Sequence, residues 1–148
     1  MSTVHSADGT TICFDAWGDG QPLIMVDSAT SHRAVSQLNA QVGQLLGEEF
    51  RVYAYDRRGR GESGDTAPYA VQREVEDLAA LIAEAGAPAF VCGFSSGAVL
   101  ALDAAAAGLL PTASLQAVEG EQHNVAAEVL APVLRRFASG EPATADVQ

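Results

Sequence analysis

Ala89-Phe90-Val91-Cys92-Gly93-Phe94-Ser95-Ser96-Gly97-Ala98 is the stretch whose reading decides the fold. A short apolar run leads into a G-x-S-x-G turn, and an alanine-rich segment, Ala98 to Ala107, follows at once. That order predicts a strand, a sharp turn and a helix. The turn is so tight that Ser95 must adopt a positive φ, with Gly93 and Gly97 relieving the crowding and the Ser95 hydroxyl projecting above the sheet. Free N–H groups at the helix start then face any negative charge that develops beside the serine. The five-residue pattern is short, so the flanking strand and helix carry the inference.

Upstream, Pro22-Leu23-Ile24-Met25-Val26 and Arg51-Val52-Tyr53-Ala54-Tyr55 join the run before Ser95 as segments too continuously apolar to have a wet face. They predict central parallel strands. Val35, Leu38, Val42, Leu45 and Leu46 have helical spacing between the first two strands, and so do Val71, Val75, Leu78, Leu81 and Ile82 between the second and third. Val4 to Trp17, turning at Ala7-Asp8-Gly9, reads as an antiparallel hairpin. Beyond the Ala98–Ala107 helix, which ends near Gly108, Ser114 to Val118 predicts a further strand leading to Gly120 and His123. Val125 to Phe137 predicts a closing helix despite Pro132. The fold class is α/β, a three-layer α/β/α sandwich around a mostly parallel sheet with an N-terminal antiparallel hairpin. One domain is expected over residues 1–138, with a disordered tail over 139–148.

The 148 residues suit a single core, and nearly half are apolar. Formal charge is −11, and all eight basic residues are Arg, with no Lys. Nucleic acid and anionic membranes are therefore poor partners, whereas a small neutral, apolar or cationic substrate suits the chain. No apolar run reaches membrane-spanning length, and Met1 to His5 lacks the basic and apolar regions of a secretory leader, so a cytoplasmic location is expected. Cys13 and Cys92 have no metal-ligand or redox spacing, and a structural disulfide is not expected. Nothing resembles a zinc cluster, a phosphate-binding loop or a dinucleotide fingerprint, so neither metal nor cofactor is expected.

Asp56-Arg57-Arg58-Gly59-Arg60-Gly61-Glu62-Ser63-Gly64 resembles the D-x-R-G-x-G-x-S loop of the α/β-hydrolase superfamily. The hairpin, the oxyanion strand Leu23 to Val26, the serine turn and the terminal strand-His-helix unit extend that resemblance over nearly the whole chain. Within the loop, the glycines permit a tight path, and Asp56 and the arginines are read as bracing it. The resemblance implies Ser95 as nucleophile, His123 as general base, and the N–H groups of Ala29 and Ser96 as oxyanion donors. It also implies a shortened member, because Leu109-Leu110-Pro111 runs directly toward the His-bearing segment where relatives carry further strands, often a cap, and the acid of the triad.

Three residues compete for the acid's place: Glu119, Glu121 and Asp27. Asp27-Ser28-Ala29 stands where the family usually has His-Gly or Gly-Gly. A carboxylate there either replaces the missing acid or opposes a developing oxyanion. Ser28, His32 and Phe94 are candidates for the substrate pocket, and His5 is read as incidental. The leading expectation is cleavage of a small ester or thioester through an acyl-enzyme on Ser95, with His123 as base and Asp27 as orienting acid. The alternatives are a non-hydrolytic relative that binds a small apolar molecule and guides a cyclisation or isomerisation, and a catalytically silent scaffold. An open edge at the final strand predicts a homodimer, by edge pairing or by exchange of Ser114 to Phe137.

Overall fold

Gly9, at φ +83°, lets the chain reverse over four residues. Its N–H donates to the Ser6 carbonyl and the Ser6 N–H to the Thr10 carbonyl, each at 2.9 Å. The hairpin so formed pairs β1 (Ser2–His5) with β2 (Thr11–Trp17), Val4 opposite Ile12. The structure, a computed structural model, describes residues 1–86, 88–110 and 125–140. Its parallel core strands are β3 (Gln21–Val26), β4 (Phe50–Tyr55) and β5 (Phe90–Gly93), one at each predicted apolar run. Among the described residues the sheet order is β1-β2-β4-β3-β5, with β2 antiparallel to β4 and β3 parallel to both β4 and β5.

Alternation along the strands splits the core into two layers. Ile24, Val26, Tyr53 and Tyr55 face α2 (Val71–Ala85) and α3 (Ser96–Ala106), where Val75, Leu78, Leu81 and Leu100 are buried. Leu23, Met25, Phe50 and Val52 face the other way, onto Val42 and Leu46 of α1 (Leu38–Leu46) and Leu130 of α4 (Ala127–Ser139). Ile24, Met25 and Val26 are fully buried, each contributing about 1.5–3 kcal/mol relative to exposure. The result is the α/β/α sandwich.

Two helix readings need correction. Val35 precedes α1 and is 62% exposed, while Leu45 is 42% exposed, because Val42 and Leu46 face the sheet and Leu45 lies about 100° round the helix from Leu46. Ser139, placed in the tail by the sequence, is the last residue of α4, which Gly140 caps at φ +74°. Pro132 is tolerated inside α4 because it lies on the exposed side, where water can serve the carbonyl that loses its donor. The expected strand at Ser114–Val118, with the dimer edge built on it, and the tail from residue 141 lie outside the described residues. Cys13 and Cys92 are free. No described helix is long and apolar enough to cross a membrane.

Candidate active site

Three adjacent parallel strands end at one rim, and the candidate residues lie within two positions of those ends: Asp27 after β3, Asp56 and Arg57 after β4, Ser95 after β5. The carboxyl ends of parallel strands are where open α/β sheets place their ligands. Ser95 is exposed and has φ +52°, ψ −120°, and among the described residues no other non-glycine has a positive φ. Such a conformation costs on the order of 1–3 kcal/mol and persists only where its surroundings impose it.

The imposing contacts are short. A Cβ on Gly97 would lie 2.2 Å from the Val26 carbonyl oxygen, and one on Gly93 2.5 Å from the Ala98 nitrogen. The Phe94 N–H donates to the Val26 carbonyl at 3.0 Å, tying the turn to the neighbouring strand. Gly97 N–H donates to Phe94 O, and Ala98 N–H to Ser95 O. Among the described residues no backbone carbonyl accepts from the Ser96 N–H. Gly97→Ala is therefore expected to push α3 off β3, destabilising the protein by at least about 1–3 kcal/mol. Thermal unfolding would check this, and a wild-type melting temperature in the variant would show that α3 and β3 are not in such close contact.

Arg57, which the sequence reading assigned to bracing the loop, has a wider part. Its Nη1 donates both to the Asp27 carbonyl at 3.2 Å and to Ser96 Oγ at 2.9 Å, joining the β3 end to the start of α3. Its Nε and Nη2 form a two-point ion pair with Glu74 of α2, and Tyr69 donates to the same carboxylate at 2.8 Å. Burial pulls the Glu74 carboxyl upward, but the hydrogen bonds from Arg57 and Tyr69 and the Arg57 charge outweigh it and hold the group below its ordinary value. Asp56 braces its loop similarly, accepting from the Arg33 and Glu62 N–H groups at 2.8 and 2.9 Å and from the Arg33 guanidinium at 3.1 Å.

Asp27 is 4% exposed, and its carboxylate accepts from Asn39 Nδ2 at 2.8 Å. Burial raises its pKa, and hydrogen bonds from Asn39, Ser31 and Ser36 only partly offset that rise. Its partners among the described residues are these three neutral donors, and His123, the histidine that an orienting-acid role would place on this carboxylate, lies outside the described residues. Asp27 lines a cavity of about 300 Å³, together with Ser28, Ser31, Leu38, Phe94 and Val125. His32 is not on this cavity's wall, and its Nδ1 is buried without a hydrogen-bond partner among the described residues. Ala29 sits exposed in the turn after Asp27, its carbonyl accepting from Arg60 Nε. His5 is exposed on β1, with Nδ1 3.4 Å from the Thr11 hydroxyl. His123, Glu119 and Glu121 lie outside the described residues. Burial pushes the Cys92 thiol up to about 12, which disfavours the thiolate form.

The family pattern described as "Alpha/beta hydrolase family" matches residues 16–146. The chain belongs to the α/β-hydrolase family. An α/β-hydrolase from Sphaerobacter thermophilus is 55% identical, with a TM-score of 0.69 over 74% of this chain and 41% of its own. The bottromycin epimerase, solved in complex with bottromycin A2, is 31% identical, with a TM-score of 0.62 over 71% of this chain and 43% of its own. An esterase from a Rhodococcus species is 28% identical, with a TM-score of 0.64 over 72% of this chain and 40% of its own. No curated protein matches. The chain thus spans about two-fifths of the length of these α/β-hydrolase structures. The fold alone does not assign a reaction, and of these three structures the Rhodococcus protein is the esterase.

Proposed function

We propose that this α/β-hydrolase cleaves a small ester or thioester by attack of Ser95, with His123 as general base. The observation that carries the reading is the conformation of Ser95, strained, exposed and seated between β5 and the start of α3. Ser95 Oγ adds to the acyl carbon while His123 takes its proton, and the new oxyanion accepts from the N–H groups of Ser96 and Ala29. Collapse expels the alcohol or thiol, which receives the proton from His123. Water, deprotonated by the same histidine, then releases the acid and restores Ser95. The similarity to solved esterases supports this reaction class.

Labelling with a fluorophosphonate tests the reading. The folded protein should take up one adduct, mapped to Ser95 by peptide mass spectrometry, and His123→Ala should slow labelling by roughly 10³-fold or more because nucleophile and base act as a unit. No adduct on folded protein would refute the serine mechanism, and undiminished labelling of His123→Ala would take the base role from that residue.

A further inference from the structure

Four acidic side chains among the described residues are buried: Asp27, Asp56, Glu74 and Asp77. Three have an arginine. Asp56 pairs with Arg33 at 3.1 Å, Glu74 with Arg57, and Asp77 with Arg58 at 2.7 Å. Asp27 forms no ion pair among the described residues, and it is the one of the four that lines the cavity beside the elbow. Arg57 passes close by but donates only to the Asp27 main-chain oxygen, its charge being paired with Glu74. A carboxylate buried with neutral donors alone is costly, and a cation that reaches it relieves the cost.

We propose that this cavity receives the ammonium group of the substrate at the Asp27 carboxylate, making Asp27 the residue that selects amine-bearing esters or thioesters. The ester part rests on the serine-hydrolase reading above, whereas recognition of the amine does not. Leu38, Phe94 and Val125 supply apolar wall for the carbon chain of such a substrate, and the net charge of −11 favours the approach of a cation. Neutralising Asp27 also removes a charge that would oppose an oxyanion held by the N–H groups of Ala29 and Ser96. Amine-bearing substrates therefore react faster as well as bind more tightly, because the substrate carries a counter-ion that Asp27 has none of among the described residues.

The test separates binding from turnover by using Ser95→Ala protein and two esters of nearly the same shape. β-Alanine ethyl ester carries an ammonium where ethyl butanoate carries a methyl group. Titration calorimetry or ligand-observed NMR at pH 7 should show the ammonium ester binding at least about tenfold tighter. Adding Asp27→Asn, which keeps the shape of the side chain, should shrink that advantage to within about twofold. Equal affinity for the two esters overturns the proposal, as does an advantage that survives Asp27→Asn. Should that variant fail to fold, the Asp27 carboxyl ¹³C resonance of Ser95→Ala protein replaces it. The signal should move with β-alanine ethyl ester and stay still with ethyl butanoate, and a signal indifferent to both overturns the proposal. Failure of fluorophosphonate labelling would remove the hydrolytic step and leave this comparison readable.

Discussion

Ser95→Ala should lower ester hydrolysis by about 10⁴- to 10⁶-fold while the protein stays folded, because loss of the nucleophile disables a unit whose members act together. The side chain is exposed, so little packing is lost. A companion variant makes the prediction sharper. Ser95→Gly removes the same hydroxyl and also relieves the φ of +52°, so it should be as inactive as Ser95→Ala yet more stable than wild type by about 1 kcal/mol. Initial rates with a small chromogenic ester, set beside thermal melts of the three proteins, check both parts. Retained turnover in either variant excludes Ser95 as nucleophile, and a Ser95→Gly protein less stable than wild type excludes stored strain at the elbow.

Arg57→Ala should be the most destabilising side-chain truncation in the site. It leaves Glu74, 2% exposed, without its two-point partner and with only Arg60 at 3.9 Å, and removal of one partner from such a buried pair costs about 3–5 kcal/mol. For a chain of this length that corresponds to a fall in melting temperature of roughly 10 °C. The pH dependence has a definite sign. With Arg57 present the folded-state pKa of Glu74 is depressed, so the pair's stabilisation is in place above the ordinary value of 4.5 and is lost as the pH falls through the folded-state value. In the variant, burial acts on Glu74 against only the Tyr69 hydrogen bond and the more distant Arg60 charge, so its pKa rises relative to wild type and protonation becomes easier. The gap between wild type and variant should therefore be widest near neutral pH and shrink as the pH falls from the variant's folded-state pKa of Glu74 to the depressed wild-type one, because the unfolded value is common to both. Arg57→Met combined with Glu74→Met should recover most of the loss, since an apolar pair leaves no buried charge. A gap that is constant with pH would mean that the lost contacts to Asp27 and Ser96, rather than the ion pair, account for the destabilisation.

Local chemistry is the part of this molecule that the sequence makes legible. Ala7-Asp8-Gly9 announces its own turn, and the run before Ser95 has no wet face, so both come from residues adjacent in the chain. The elbow is legible for the same reason, its glycines lying within two residues of the serine whose conformation they permit. The exposure of Leu45 is less so, because it depends on which way α1 is rotated on the sheet, and spacing alone does not fix that rotation. The charge network is hidden altogether. Arg57 meets Glu74 from 17 residues away and Asp27 from 30, and nothing in an arginine-rich loop says which acid each guanidinium will take. A signal was nonetheless present: Asp27 and Arg57 lie within two positions of the ends of neighbouring parallel strands, which brings them to the same rim as Ser95.

Helix α4 has a consequence for how the protein is made. Its Ala127, Leu130 and Ala131 complete the core layer that contains Met25, Phe50 and Val52, and its Arg135 reaches back to Glu49 across 86 residues. During synthesis the hairpin, the sheet and the α2–α3 side can assemble first, because all their parts precede residue 110 and emerge from the ribosome ahead of α4. The opposite face must wait, covered among the described residues by α1, until residues 127–139 emerge. Over that interval the nascent chain presents an apolar sheet surface to its surroundings, and a pause in translation before α4 would leave the polypeptide reliant on chaperones.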